Sequence, residues 1–426
     1  MDYPGSLTRL AKAHSGAGMD GRCRKAEITA NPARGSMVAT VLFLAWIVAY
    51  MDRVVMGTAI IPMASEFGLD RDHQGLVLGA FYVSYALMQL GGGWLTDRFG
   101  ARLTLIGCLA FWSAFTGMTG LAWSLETLLV ARLLFGLGEG GFAPASASAI
   151  ATMFPDRFRG RLQALMGSTV FLGGAMGGAT MAWTIARFGW RATFIGLAVV
   201  GFAVMIGFIA TLPSRPATCR ELSSHPPIRW RDVAVARGLW PTALLWFCIS
   251  FTSLGLQSWM PSYLVATQNI DIVHVGIYSI IPGTLGFLAT NLAGRLLDVM
   301  GMEASKYLII GGAGAILFSV VLLLLSPSLS LLLIAWSFYM LAFGCLYASV
   351  LSVPVKSLPP AIAGRAMGII NFCGQIAGAI AAVTVGKLMT VAQGDFRMAF
   401  SVFVAASLIG LILSLPMARL YKTSIK

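Results

Sequence analysis

Gly93-Trp94-Leu95-Thr96-Asp97-Arg98-Phe99-Gly100-Ala101-Arg102 is a short polar break between two apolar runs, and its spacing recurs. Gly294-x-x-x-Asp298-x-x-Gly301 repeats it 201 residues later. Two further pairs keep the register. Gly160-Arg161 returns as Gly364-Arg365 at an offset of 204, and Trp190-Arg191-x-x-Phe194 as Phe396-Arg397-x-x-Phe400 at 206. Three matches in one order at nearly one offset indicate a duplicated chain. Between the copies, residues 213–239 form the longest internal polar stretch, rich in Pro and Arg.

Outward from the first copy, apolar windows of about 20 residues, enough for a bilayer core of about 30 Å, follow one another along the chain. They fall at 37–62, 75–96, 103–123, 126–153, 162–187, 192–212, 240–265, 274–297, 306–326, 329–354, 366–390 and 398–420. Composition agrees. The 426 residues are 57% hydrophobic and 11% charged, against about 25% charged in soluble domains, too few to cover a water-facing surface. The 48 glycines suit close helix–helix approach in lipid. The expected fold is an all-α membrane protein with twelve transmembrane helices in two pseudo-symmetric six-helix bundles. The expected parts are a disordered cytoplasmic tail at 1–36, a bundle at 37–212, a cytoplasmic linker at 213–239, a bundle at 240–420 and a tail at 421–426.

A net charge of +13 would suggest nucleic acid for a soluble protein; here its distribution fits the positive-inside bias. One set of segments holds the N-terminal cluster, Arg98, Arg102, Arg157, Arg159, Arg161, the linker arginines, Arg295, Lys306, Lys356, Arg365 and the C-terminal basic residues. The other set holds only Arg71, Arg187, Arg191 and Arg397. Both termini are therefore expected in the cytoplasm of an inner or plasma membrane. The six cysteines form no C-x-x-C pair, so neither a disulfide frame nor a metal site is indicated, and no cofactor is expected.

Ionisable residues at membrane depth are costly and usually mark a pathway. Asp52, Arg53, Arg132 and Glu139 qualify. Arg53 lies about 17 residues, roughly 25 Å, into the first span, and Glu139 about 13 residues, roughly 20 Å, into the fourth, so neither reaches an interface easily. Arg132 and Glu139 share a helix face and are bridgeable by long side chains or a ligand. Two acids and two arginines are nearly neutral together. A purely structural lock between spans one and four is the competing reading, weightier for Asp52 and Arg132 than for the other two. Lys387 stands near a span end, where a lysine snorkels. Tyr50, Tyr82, Tyr85, Gln89, Gln257, Trp259, Asn291, Asn371 and Gln375 are polar groups within spans that need partners, from neighbouring helices or a polar ligand. Trp112, Trp123, Trp183 and Trp336 read as packing or interface residues.

Gly93 to Arg102 resembles the loop motif G-x-x-x-D-[RK]-x-G-x-[RK] of the major facilitator superfamily. Gly93 permits close helix contact, Asp97 can accept from helix amides, and Arg98 and Arg102 can meet carboxylates and lipid phosphates. The resemblance makes Gly93, Asp97, Arg98, Gly100, Arg102 and, in the second copy, Asp298 a latch between the halves. A finer resemblance is to the anion:cation symporter branch. Tyr50-Met51-Asp52-Arg53 is similar to its Y-x-D-R. Arg132-Leu-Leu-Phe-Gly136-Leu-Gly138-Glu139-Gly140-Gly141-Phe-Ala-Pro144 is similar to R-x-x-x-G-x-x-E-[GA]-x-x-x-P. Ser258-Trp259-Met260-Pro261-Ser262-Tyr263-Leu264 and Gly368-Ile369-Ile370-Asn371-Phe372-Cys373-Gly374 are similar to its motifs in spans seven and eleven. Two departures, Val55 where the branch often has Asn and Gly378-Ala-Ile-Ala-Ala-Val in place of a Gly-Gly-x-x-x-Pro run, suggest an unusual ligand.

The resemblance implies a secondary transporter, not an enzyme, that imports a small organic anion such as a sugar acid or aromatic acid with protons by alternating access. Arg53 would receive the carboxylate, with Tyr50, Tyr85, Gln89, Gln257, Trp259, Asn371 and Gln375 as further substrate contacts. Asp52, Glu139 and Arg132 would couple the proton. The partners would be the anion, protons and lipid, with no nucleic acid, and the protein is expected to be a monomer. A drug/proton antiporter of the same fold is the alternative, although its usual Gly-Pro pair is missing from Gly173-Gly174-Ala-Met-Gly177-Gly178. Gly136-x-Gly138-x-Gly140-Gly141 looks superficially like a nucleotide fingerprint but sits in an apolar span with no preceding strand.

Overall fold

The computed structural model describes residues 32–213, 233–236, 238–300, 302–357 and 360–420. Most of the expected tail at 1–36, most of the linker at 213–239, the tail at 421–426 and Gly301 lie outside these residues. Residues 32–36 do not, and they correct the expected boundary. They already belong to the first helix, α1 (Pro32–Phe67), where a proline at the first helical position lacks only an N–H that would have no helical partner.

All other elements are helical as well. After α1 come α2 (Arg71–Gly120), α3 (Leu125–Gly140), α4 (Phe142–Met153) and α5 (Asp156–Thr211). Beyond the linker follow α6 (Leu239–Gln268), α7 (Ile272–Tyr278), α8 (Ile280–Met300), α9 (Met302–Leu325), α10 (Leu329–Ser357), α11 (Pro360–Val391) and α12 (Phe396–Leu420). Ten helical stretches among the described residues are long and apolar enough to cross a membrane. At 50 residues α2 would run about 75 Å at helical rise, far beyond one bilayer core, but it breaks at Gly100 (φ 80°). The 56-residue α5 breaks in the same way at Gly189 (φ 81°). Both angles lie where a Cβ is strongly disfavoured. Large apolar side chains such as Val199, Leu292 and Phe318 point outward, where lipid is the fitting solvent. The chain is a multi-pass membrane protein.

Hydrogen bonds mark the two ends of the helices. At the end nearer the termini, Arg34 Nε donates to the Thr211 carbonyl (3.3 Å) and Arg102 Nη2 to the Ile209 carbonyl (3.2 Å). At the far end Arg191 Nη1 meets Glu66 Oε1 at 2.5 Å and its Nη2 donates to the Ala122 carbonyl at 3.0 Å, while Trp190 Nε1 donates to Glu66 Oε2 at 2.8 Å. Aromatic packing here reproduces the repeat. Phe67 meets Trp190 at 5.8 Å in the first half, and Tyr263 meets Phe396 at 5.4 Å in the second. Helix capping adds a fourth matched pair. Asp70 caps α2 and faces His73, and Asp271 caps α7 and faces His274, again 201 residues apart. Those amide and imidazole bonds hold both aspartates below the usual carboxylate range.

The halves meet closely toward the far end. A Cβ on Gly75 would lie 2.8 Å from the Ala382 carbonyl oxygen, one on Gly386 2.6 Å from that of Arg71, and one on Gly276 2.5 Å from that of Gly178. Thr390 Oγ1 donates to Asp72 Oδ1 across the same seam at 2.7 Å, and the Arg71 guanidinium lies 5.9 Å from the Phe396 ring. Toward the termini the picture reverses. Cβ atoms on Gly93, Gly160 or Gly364 would meet nothing within 4 Å. Gly93 therefore does not serve a close contact here, contrary to expectation. That role belongs to Gly92, whose Cβ would sit 2.8 Å from Pro144. Asp97 and Arg98 are exposed, and Asp97 makes no hydrogen bond among the described residues, so its expected acceptor role at a helix start is not seen. The side chain of Asp298 lies outside the description. Gly100 supplies the left-handed break, and Arg102 its tie to Ile209.

Candidate functional site

A cavity of about 250 Å³ lies between the halves. α1 presents Tyr50 and Arg53 to it, α2 presents Tyr85 and Gln89 one turn apart, α6 presents Gln257, and α11 presents Asn371 and Gln375 one turn apart. Seven of the eight expected substrate contacts are thus brought together. Trp259 is not among them. It is fully buried, and its indole N–H donates to the Ala382 carbonyl at 3.1 Å, so its polar atom is spent fastening α6 to α11. Asn291 is exposed and donates to the Phe287 carbonyl of its own helix. Tyr82 borders a smaller gap below the cavity.

Glycine packing explains how Glu139 reaches Arg53. A Cβ on Gly136 would fall 2.2 Å from Ser84 Oγ, one on Gly140 2.6 Å from Met88 Cβ, and one on Gly138 2.8 Å from Phe111. The Gly-rich run therefore sinks α3 between the two parts of α2 and carries Glu139 with it. On the other side, Gly173 of α5 lies against Tyr50, where a Cβ would come within 2.7 Å of the tyrosine's own Cβ.

Arg53 Nη2 and Nε lie 2.6 and 2.7 Å from one oxygen, Oε1, of Glu139. The side chains are 8% and 1% exposed, and Glu139 Oε2 has no partner among the described residues. Tyr50 and Tyr85 flank the guanidinium at 4.7 and 4.5 Å, within cation–π range. Arg53 thus borders the cavity as one half of a buried ion pair. Glu139 turns to Arg53 and makes no hydrogen bond or ion pair with Arg132, with which it shares a helix face, among the described residues.

Arg132 and Asp52 form a second polar cluster, sealed from the cavity at 1% exposure each. Arg132 Nη2 donates to Thr119 at 3.2 Å and its guanidinium lies 4.4 Å from Phe135. Thr116 donates to Asp52 Oδ1 at 3.1 Å, and Asp52 Oδ2 and Arg132 Nε have no partner among the described residues. A gap of about 10 Å³, lined by Arg53, Arg132, Tyr82, Gln257 and Ser258, separates the clusters. That is about the space one water needs. Val55 is fully buried and does not line the cavity, so its departure from the branch pattern has no bearing there. Lys387 is exposed near the end of α11, as its place in the sequence suggested.

The aromatic part of the lining escaped the sequence. Trp336, Met340, Phe343 and Tyr347 of α10, Phe171 of α5 and Trp246 of α6 all border the cavity. Trp336 is therefore a lining residue and not merely packing. Their four-, three- and four-residue spacing on α10 was readable, but a buried helix with apolar residues all round does not reveal which stripe faces a cavity.

The model of the Major Facilitator Superfamily matches residues 42–382. The probable sulfoacetate transporter SauU of Cupriavidus necator is 29% identical over 408 residues, covering 89% of this chain and 93% of that protein. The probable galactarate/D-glucarate transporter GarP of Escherichia coli (strain K12) is 27% identical, over 83% of this chain and 88% of its own. The solved structure of a bacterial homolog to the human lysosomal transporter Spinster, inward-facing and unoccupied, superposes with a TM-score of 0.79 at 18% identity. It covers 92% of this chain and 98% of that one, a likeness of fold.

Proposed function

The chain belongs to the Major Facilitator Superfamily and is a transporter, not an enzyme; from that membership we propose that it imports a small organic anion together with protons. The observation that carries this reading is the Arg53–Glu139 pair at the cavity wall. A guanidinium is permanently charged and shaped to receive a carboxylate. Here its partner carboxylate is itself ionisable. Protonating Glu139 releases Arg53 from neutralisation, and an incoming anion restores it, so the loaded cavity crosses the membrane near neutrality. Leaving a buried charge unpaired costs about 3–5 kcal/mol, which favours loading both ligands or neither. The sealed Asp52–Arg132 cluster beside it serves as a second proton site.

Twelve spans follow if the two glycine-broken helices each cross twice. Both termini then lie in the cytoplasm by the positive-inside bias, with bundles at about 37–212 and 240–420 in a cell's inner membrane. The halves, jammed at the far end and open at the glycines near the termini, fit the inward-facing half of an alternating-access cycle. Relatives named for sulfoacetate and galactarate support an anion as cargo, and a drug antiporter is not favoured. Uptake of radiolabelled carboxylates into proteoliposomes tests the reading. Arg53→Gln should abolish it, and undiminished, saturable uptake by that variant would overturn the anion-receptor role.

A further inference from the structure

The lining of the cavity has a polar and an aromatic part. Charge and amides come from α1, α2, α6 and α11 through Arg53, Gln89, Gln257, Asn371 and Gln375. The contribution of α10 is a stripe of rings and thioether, extended by Phe171 and Trp246. Phe171 lies 5.7 Å from Phe343 and 5.9 Å from Tyr347, and Trp246 lies 5.7 Å from Tyr347. These four rings form one continuous surface that joins both halves of the molecule.

Such a surface discriminates between acids. A polyhydroxylated chain laid on it loses water from each hydroxyl and gains no hydrogen bond from a ring face, which is unfavourable for every hydroxyl buried. A flat ring stacks on it with favourable quadrupole geometry. Of the lining hydroxyls, Ser279 already donates to the Gly276 carbonyl at 2.6 Å. Room for one hydroxyl on the cargo does exist. Gln375 Oε1 is buried without a partner among the described residues, and a hydroxyl, both donor and acceptor, satisfies an amide in either orientation. The volume, about 250 Å³, is far above that of the one-water gap beside it and has room for a single ring with a carboxylate.

We infer that the cargo is a single-ring aromatic carboxylate carrying few hydroxyls, held by Arg53 at its acid and by the Phe171–Trp246–Phe343–Tyr347 surface at its ring. The inference rests on Arg53 as the anion receptor. Thermal-shift titration of the purified full-length protein in nanodiscs tests it with 4-hydroxybenzoate and D-galactarate as probes. Wild type should bind 4-hydroxybenzoate at least about tenfold more tightly. Phe343→Leu should cut that preference to below about threefold by weakening 4-hydroxybenzoate binding. A comparison needing no variant is benzoate against cyclohexanecarboxylate, where benzoate should bind severalfold more tightly. Equal affinities in either pair, or tighter binding of D-galactarate, overturn the aromatic assignment and leave the anion receptor standing. Unchanged 4-hydroxybenzoate binding by a folded Arg53→Gln variant overturns the receptor itself.

Discussion

Replacing Glu139 by Gln removes the carboxylate that sits 2.6 Å from Arg53 and leaves the guanidinium, 8% exposed, beside an amide. Two charges about 4 Å apart at an effective dielectric of about 20 attract by about 4 kcal/mol. Stranding one partner of a buried pair costs about 3–5 kcal/mol, and the two figures agree. The ligand-free variant should therefore lose about 3–5 kcal/mol of stability. A bound carboxylate supplies the missing negative charge, so saturating 4-hydroxybenzoate should raise the melting temperature of the variant more than that of wild type. In proteoliposomes the same variant should exchange internal for external anion at any pH, yet fail to accumulate it when a pH gradient is applied. Differential scanning fluorimetry and paired exchange and accumulation assays read these outcomes. Stability within about 1 kcal/mol of wild type, together with normal accumulation, would refute the reasoning.

Four further outcomes follow from the packing. Trp259→Phe should lower stability by about 1 kcal/mol, the worth of its bond to Ala382, with ligand affinity unchanged in titration because the ring is away from the cavity. Gly75→Val places a side chain against the Ala382 carbonyl and should disfavour closure at the far end by about 1–3 kcal/mol; spin-label distances across Asp72 and Thr390 should lengthen and uptake fall. Gly100→Ala forces a Cβ into φ 80°, ψ 157°, costing about 1–3 kcal/mol, visible as a lower melting temperature with cargo affinity retained. Asp70 and Asp271 are held below their ordinary range by amide and imidazole bonds. Their capping is complete above the unfolded carboxylate value of about 4 and is lost as pH falls through the lower folded value; hydrogen exchange at His73 and His274 should accelerate only in that acid window.

Much of the fold was legible because lipid imposes a simple rule: runs of about 20 apolar residues become helices. The duplication was legible from Gly93/Gly294 and its companions. Boundaries fared less well at Pro32, where the helix begins before the apolar window, since hydropathy reports the bilayer and not the helix end. Seven polar lining residues were legible because polarity inside a span is costly and therefore informative. Trp259 shows the limit of that logic: a partnerless N–H is equally well satisfied by a neighbouring backbone. The pairing of Glu139 with Arg53 was not legible, since it depends on how deeply Gly136, Gly138 and Gly140 let one helix sink against another. The aromatic wall was hidden for a related reason. Among apolar residues, only packing separates those facing a cavity from those facing a helix or lipid.

Calorimetric titration of 4-hydroxybenzoate into the purified transporter, repeated near pH 6.5 in buffers of different ionisation enthalpy, counts the protons taken up with each anion. If the incoming carboxylate displaces that of Glu139 from Arg53, wild type should take up protons with each anion and Glu139→Gln about one fewer. Equal proton counts in the two proteins, or none in wild type, would contradict the exchange of one carboxylate for another on which the mechanism stands.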